Sequence, residues 1–307
     1  MTHDVDVLHP LPLFSNHKLF SEAIRLSALL LGHAPCVRDL RKVATLDSRQ
    51  GIPSTFFFKI EYACADQNRL SSTLRSFAAL GLDLGLHASP ESRLDQERLS
   101  LEREALSKMS GRDILGVRFH RLGFDSPRIW QHLDDIGFGY DSSFSWNELA
   151  GFRSGSAFPF RPFVWSTGKP IALLELPMAY MDWTDLHRGQ DAANIIRNVG
   201  ALLETVGQVN GVLVLNFHNS YLNAWTHGDV VKSYLALVGR FRALPTWLAN
   251  AQQCISWWEQ RRSAPVSMQQ KGEARIVLNP ARIPLGVWYE SQSGPQITTD
   301  ARIKLSD

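Results

Sequence analysis

The chain has 307 residues, 44% of them hydrophobic and 20% charged, with 32 Lys and Arg against 30 Asp and Glu. The resulting net charge of +2 comes from interspersed signs, which argues against nucleic acid or an anionic membrane surface as the main partner. The length suits one large α/β domain, or a barrel with a small added module. Cys36, Cys64 and Cys254 are too few and too far apart for a disulfide framework or a zinc knuckle, and fit a reducing compartment. No cationic segment leads into an apolar stretch, and no apolar run approaches about 18 residues. The expected location is the cytoplasm, with no insertion into a membrane.

In chain order, the opening "MTHDVDVLHP" places His3, Asp4, Asp6 and His9 within nine residues. A frayed terminus would waste such a group, so a first strand is expected to begin at Met1. Helical patterns at 17–31, where "LSALLLG" (26–32) forms an apolar end, and at 36–48 follow it. "STFFFKI" (54–60), "LDLGLHA" (82–88), "GVRFH" (116–120), "ALLELPM" (172–178) and "GVLVLNFH" (211–218) are short apolar runs that suit buried strands. Helices are expected between and after them at 70–80, 91–109, 127–136, 190–206, 229–243 and 247–262. This alternation predicts βαβ units with a parallel sheet that can close into a (β/α) barrel. The stretch 142–170, rich in Gly, Ser, Pro and aromatics, breaks the alternation and suits a binding loop. Beyond 262 the composition shifts toward Pro, Gly and alternating apolar residues, which predicts a barrel domain over 1–262 and a small β appendage over 263–307.

The chemistry-bearing residues fall at strand ends. His87, His120 and His218 each close an apolar run, and Asp4 and Asp6 lie on or just past the first strand. Parallel barrels gather their C-terminal strand ends on one face. Imidazole and carboxylate converging there suit Zn²⁺ or another divalent ion. A remaining carboxylate and a remaining imidazole can then serve as base and acid. No phosphate-binding glycine loop, nucleophile elbow or H-E-x-x-H motif competes with this reading.

In this order, "THDVD" (2–6), "LDLGLHAS" (82–89), "GVRFH" (116–120), "LELPM" (174–178) and "LNFHN" (215–219) resemble the motif series of the polysaccharide deacetylase superfamily, carbohydrate esterase family 4 in its wider sense. The resemblance covers roughly residues 1–262. It implies an α/β fold, a distorted (β/α) barrel that is often seven-stranded, and hydrolysis of N-acyl groups, N-acetyl above all, from amino sugars with a divalent metal. Carried over, Asp4 is the base, His218 the acid and Arg118 the residue that orients Asp4. The same transfer makes Asp6 and His87 metal ligands. The sequence departs from the family pattern at two places: Val5 separates the paired aspartates, and Glu91 stands where a second histidine is usual. The third ligand is expected to be His120, with Glu91 as the alternative. Asp182, Trp183 and Asn219 are expected to line the substrate groove, and Arg153 in the long insertion to meet a charged group. His3 is expected to face away from Asp4. The substrate implied is an acylated amino sugar, in surface polysaccharide or lipopolysaccharide synthesis. The alternatives are a metal-free amidohydrolase of the same fold acting on a non-sugar amide, and a binding protein without catalysis.

Overall fold

The structure is a computed structural model that describes residues 1–6, 37–60, 67–124, 128–224 and 227–263, and the strands between 267 and 305. The helix expected at 17–31, His9, Cys36 and Cys64 lie outside the described residues. Contacts divide the chain into two compact units, Met1–Gln252 and Gln253–Asp307, against the 262/263 boundary read from composition. No described helix is long and apolar enough to cross a membrane.

Among the described residues, the first unit holds ten strands: β1 (Thr2–Val5), β2 (Thr55–Phe58), β3 (Asp83–Ala88), β4 (Gly116–Phe119), β5 (Tyr140–Asp141), β6 (Phe163–Val164), β7 (Lys169–Pro170), β8 (Leu174–Glu175), β9 (Met178–Met181) and β10 (Val214–Asn216). Its helices are α1 (Val37–Gln50), α2 (Gln67–Ala79), α3 (Gln96–Ser110), α4 (Arg128–Ile136), α5 (Trp183–Leu186), α6 (Ala192–Val209) and α7 (Gly228–Arg242); α8 (Ala251–Ser263) crosses the unit boundary. The second unit contains β11 (Ser267–Lys271), β12 (Ala274–Leu278) and β15 (Arg302–Leu305) in one antiparallel sheet, with β13 (Leu285–Val287) and β14 (Gln296–Thr298) in another. A β-rich extension was the sequence expectation there.

Eight strands form one parallel sheet in the order β8-β5-β4-β3-β2-β1-β10-β9. The sheet therefore has eight strands rather than the expected seven, because the single run at 172–178 is two strands. Pro177 cannot donate to a ladder, and it separates β8 from β9. These two strands occupy opposite edges of the sheet yet are joined by only Leu176 and Pro177. Three Cα–Cα steps span at most about 11 Å, so the edges must approach each other and the sheet must curl into a distorted barrel.

Alternation along each strand separates an outer from an inner layer. Phe56, Phe58, Leu84, Leu86, Val117 and Phe119 join the apolar cluster shared with the helices. Phe57, Tyr140 and Arg118 lie on the other face. A Cβ at Gly116 would come within 2.1 Å of the Tyr140 ring, and one at Gly85 within 2.5 Å of Phe57, so glycine at both positions makes room for these rings. His3 also belongs to the outer layer. It stacks on Phe56 at 4.6 Å, and its ring nitrogens reach Asp47 at 2.9 Å and the Phe217 carbonyl at 3.0 Å. Ser54 and Tyr234 donate to the same Asp47 carboxylate, so one buried acid fastens β1 to α1 and α7. The helix expected as one piece over 91–109 is interrupted: Glu91–Leu94 forms a 3₁₀ turn, and extended Asp95 then caps α3 by accepting from the Arg98 amide at 3.0 Å.

Asp141 on β5 and Glu175 on β8 are register partners and are both fully buried. Burial is the main reason that the Asp141 carboxyl is pushed up to about 6, and burial together with the Asp141 charge raises Glu175 well above its usual value. The folded protein thus binds protons that the unfolded chain has released above pH 3.8 and 4.5. Stability should fall as pH rises from about 4 through about 6 and beyond. Thermal melts at pH 5 and pH 8 should show this loss in the wild type, and Glu175→Gln should flatten it; an unchanged slope would refute proton uptake by this pair.

Candidate active site

The side chain of Arg118, on β4, is fully buried yet makes five hydrogen bonds. Nη1 donates to Asp4 Oδ1 at 2.9 Å, Thr2 Oγ1 at 2.9 Å and Asn216 Oδ1 at 3.1 Å, while Nε and Nη2 donate to the Ser142 carbonyl and hydroxyl. Its guanidinium lies 4.3 Å over the Phe57 ring. Asn216 also donates to Asp4 Oδ2 at 2.9 Å. Burial pushes the Asp4 carboxyl up, but Arg118, His87 and His218 outweigh it and hold Asp4 below its ordinary value. Asp4 is therefore an ionised, fixed carboxylate with both oxygens in use.

One layer nearer the strand ends, Asp6, His87 and His120 offer ligand atoms within 4.8 Å of one another. Asp6 Oδ1 lies 3.0 Å from His87 Nε2 and 3.6 Å from His120 Nε2. His87 Nδ1 faces the Arg118 carbonyl at 3.0 Å, and that carbonyl can only accept. Nδ1 must carry the proton, so Nε2 can present its lone pair to the cluster. Asp6 Oδ1 and His87 Nε2 are both buried without a hydrogen-bond partner. Burial pushes Asp6 up, but the imidazoles of His87, His218 and His120 around it hold it well below the usual carboxylate range. Burial keeps the His120 imidazole down at about 4, against the pull of Asp6. One ionised carboxylate and two imidazole nitrogens with open lone pairs suit a zinc-like divalent ion. Glu91 is exposed on the 3₁₀ turn and is not part of this cluster.

His218, two residues beyond Asn216 and on the same face, completes the layer. Its Nε2 is 3.9 Å from Asp6 Oδ2, and its Nδ1 is 2.5 Å from Asp182 Oδ1. Asp182 Oδ2 accepts the His218 amide at 2.8 Å. Burial alone would push His218 down; the Asp182 carboxylate, with Asp6 and Asp4 behind it, raises it to about 10. His218 is therefore protonated at neutral pH.

Asp4, Asp6, His87, Arg118, His120 and His218 are thus brought together on one face of the barrel. Asp182, expected in the groove, is fully buried and spends its carboxylate on His218 and the Trp183 amide. Trp183 is partly exposed beside it and stacks on His187 at 4.8 Å. Asn219 is buried, its amide donating to the Asp4 carbonyl at 3.2 Å. Arg153 lies against Phe124, Phe144 and Trp146. Asn216 and Ser142 were missed from sequence. The signal for Asn216 was a polar residue inside "VLVLNF", in phase with His218; Ser142 gave no sign in "YDSS".

No protein-family model matches the sequence at a significant level, and neither does any curated protein. Solved structures do share its fold. A Mycobacterium smegmatis protein assigned to the polysaccharide deacetylases is 20% identical, with a TM-score of 0.61, covering 88% of this chain and 92% of that one. A Pseudomonas aeruginosa PAO1 protein with the same assignment is 16% identical at a TM-score of 0.57, covering 84% and 81%. PuuE allantoinase is 14% identical at a TM-score of 0.56, covering 86% and 84%. The chain has the fold of the polysaccharide deacetylases, a fold that an allantoinase also has.

The Asp182–His218 pair gives a direct expectation. In metal-free Asp182→Asn, the pKa of His218 should fall well below about 10, because burial then acts with less opposition. Histidine ring signals followed by NMR against pH would show this. A titration still near 10 would mean that Asp182 is not what charges His218.

Proposed function

We propose that the protein is a metal-dependent hydrolase that removes an N-acyl group, N-acetyl by preference, from an amino sugar. The observation that carries this reading is the layer formed by Asp4, Asp6, His87, His120 and His218. It puts an ionised carboxylate, a three-donor metal site and a protonated imidazole on one barrel face. The shared fold of two proteins assigned to the polysaccharide deacetylases supports it.

Asp6, His87 and His120 would hold the ion, most simply Zn²⁺. When bound, it would polarise the acyl oxygen and acidify a water molecule. The chain's own residues do the rest. Asp4, kept ionised and aimed by Arg118 and Asn216, takes the proton of the water that attacks the acyl carbon. The C–N bond then breaks, and His218 delivers its Nε2 proton to the departing nitrogen, so the amine leaves neutral. Asp182 holds His218 by Nδ1 and keeps that proton available until it is needed. The products are a free amino sugar and a carboxylic acid. We place the reaction in the cytoplasm, in surface polysaccharide or lipopolysaccharide synthesis; the unpaired spacing of the cysteines supports the location. A second reading, an amidohydrolase acting on a non-sugar amide, is favoured by the fold shared with an allantoinase.

Protein purified without chelator should carry about one equivalent of divalent metal and release acetate from acetylated amino sugars. Asp4→Asn should remain folded and metal-loaded but lose turnover by at least about 10³-fold, since it removes the base. Near-normal acetate release by that variant would sink Asp4 as the base. Turnover confined to non-sugar amides would transfer the site to the second reading.

A further inference from the structure

We propose that the mouth of this site binds an oxyanion through Arg121 and Arg153, so that the substrate is an acylated amino sugar bearing a phosphate or carboxylate group. This rests on the hydrolase reading and narrows its substrate class.

Arg121 directly follows His120 and is exposed. It and Leu122 both adopt the left-handed region, at φ 58 and φ 48. Neither is glycine, and two such residues in succession are costly unless the surroundings impose them. The Arg121 carbonyl accepts from Asn147 Nδ2 at 3.1 Å, and the Asn147 carbonyl accepts from Thr184 Oγ1 at 3.3 Å. Asn147 thus bridges the turn after His120 to the residues after Asp182. Ser145 Oγ and the Gly151 amide donate to the Met178 and Ala179 carbonyls at 2.6 and 2.7 Å, so segment 145–151 is fastened across the same end of the barrel.

Arg153 closes this segment. Its guanidinium lies 4.5 Å from the Phe144 ring centre, 5.1 Å from Trp146 and 5.9 Å from Phe124. Aromatic faces fix the plane of a guanidinium without using its N–H groups. Arg153 makes one hydrogen bond, a long one of 3.5 Å to the Ser145 carbonyl. Among the described residues, neither Arg121 nor Arg153 has a carboxylate within ion-pair distance, although exposed Glu91 and Glu148 lie in the neighbouring segments. An arginine held rigid, with most of its donors unspent, is organised to receive a planar or tetrahedral oxyanion.

The test compares steady-state hydrolysis of N-acetylglucosamine 1-phosphate, N-acetylmuramic acid and neutral methyl N-acetylglucosaminide by the full chain and by Arg121→Gln and Arg153→Gln. At low salt, one anionic sugar should exceed the neutral one in kcat/KM by about tenfold or more, and salt should shrink that advantage. The phosphate and carboxylate arms identify which oxyanion is taken. Each variant should lose about tenfold more on the anionic sugar than on the neutral one, through KM. No preference in the wild type, or equal losses on both sugars, would overturn the proposal. Should no sugar be turned over, calorimetric binding of the same three decides. Anion-dependent binding weakened in both variants would uphold the subsite while the hydrolase reading falls. Binding indifferent to charge would remove the subsite.

Discussion

A guanidinium with no solvent contact must have acceptors for its donors, and Arg118 meets that demand in a way that organises the whole site. An unpaired buried cation is among the most destabilising things that a fold can contain; losing one partner of a buried pair costs about 3–5 kcal/mol. Its acceptors come from one neighbouring strand and from strands farther around the curled sheet: Ser142 after β5, and Thr2 and Asp4 on β1 with Asn216 on β10. The same residue's carbonyl takes the proton of His87 Nδ1. One residue therefore aims the carboxylate of Asp4 with its side chain and sets the tautomer of a prospective metal ligand with its backbone. Asp4 and the His87 ring cannot shift independently.

Strand alternation then divides labour at nearly every position of β1. Thr2, Asp4 and Asp6 face the inner layer, where polarity is chemically useful and paired. His3 and Val5 face the helices. His3 is polar yet stable there because its two ring nitrogens meet the Phe217 carbonyl and Asp47, and Asp47 in turn accepts from Ser54 and Tyr234. A register slip of one residue would exchange these layers and abolish the site. The buried network on the outer face is thus a device that keeps the inner face in phase.

How much of this could be read from the sequence depends on whether the signal was local. Histidines closing apolar runs are local, and so His87, His120 and His218 stood out, as did the paired acids of "THDVD". The parallel α/β architecture followed from strand–helix alternation. What escaped was relational. Pro177 in "LELPM" announced a break in a strand, but nothing local says that the two halves lie on opposite sheet edges. Asp182 follows a strand end, and only its distance to His218 shows that it serves the imidazole instead of a ligand. Asn216 resembles any polar interruption of a strand until Arg118 is found beside it. Val5, which departs from adjacent aspartates, turns out to cost nothing in placement: i and i+2 share a face, so Asp4 and Asp6 both reach the inner layer, one on each side of the chemistry.

The central claim is that Asp6, His87 and His120 form a single metal site set by Arg118. X-ray absorption at the zinc edge of protein reconstituted with one equivalent of Zn²⁺ tests it most directly. The account predicts two imidazole nitrogens and a carboxylate oxygen at about 2.0–2.2 Å, with one imidazole lost in His120→Ala. A zinc ion coordinated by water alone, or a spectrum unchanged in His120→Ala, would contradict it.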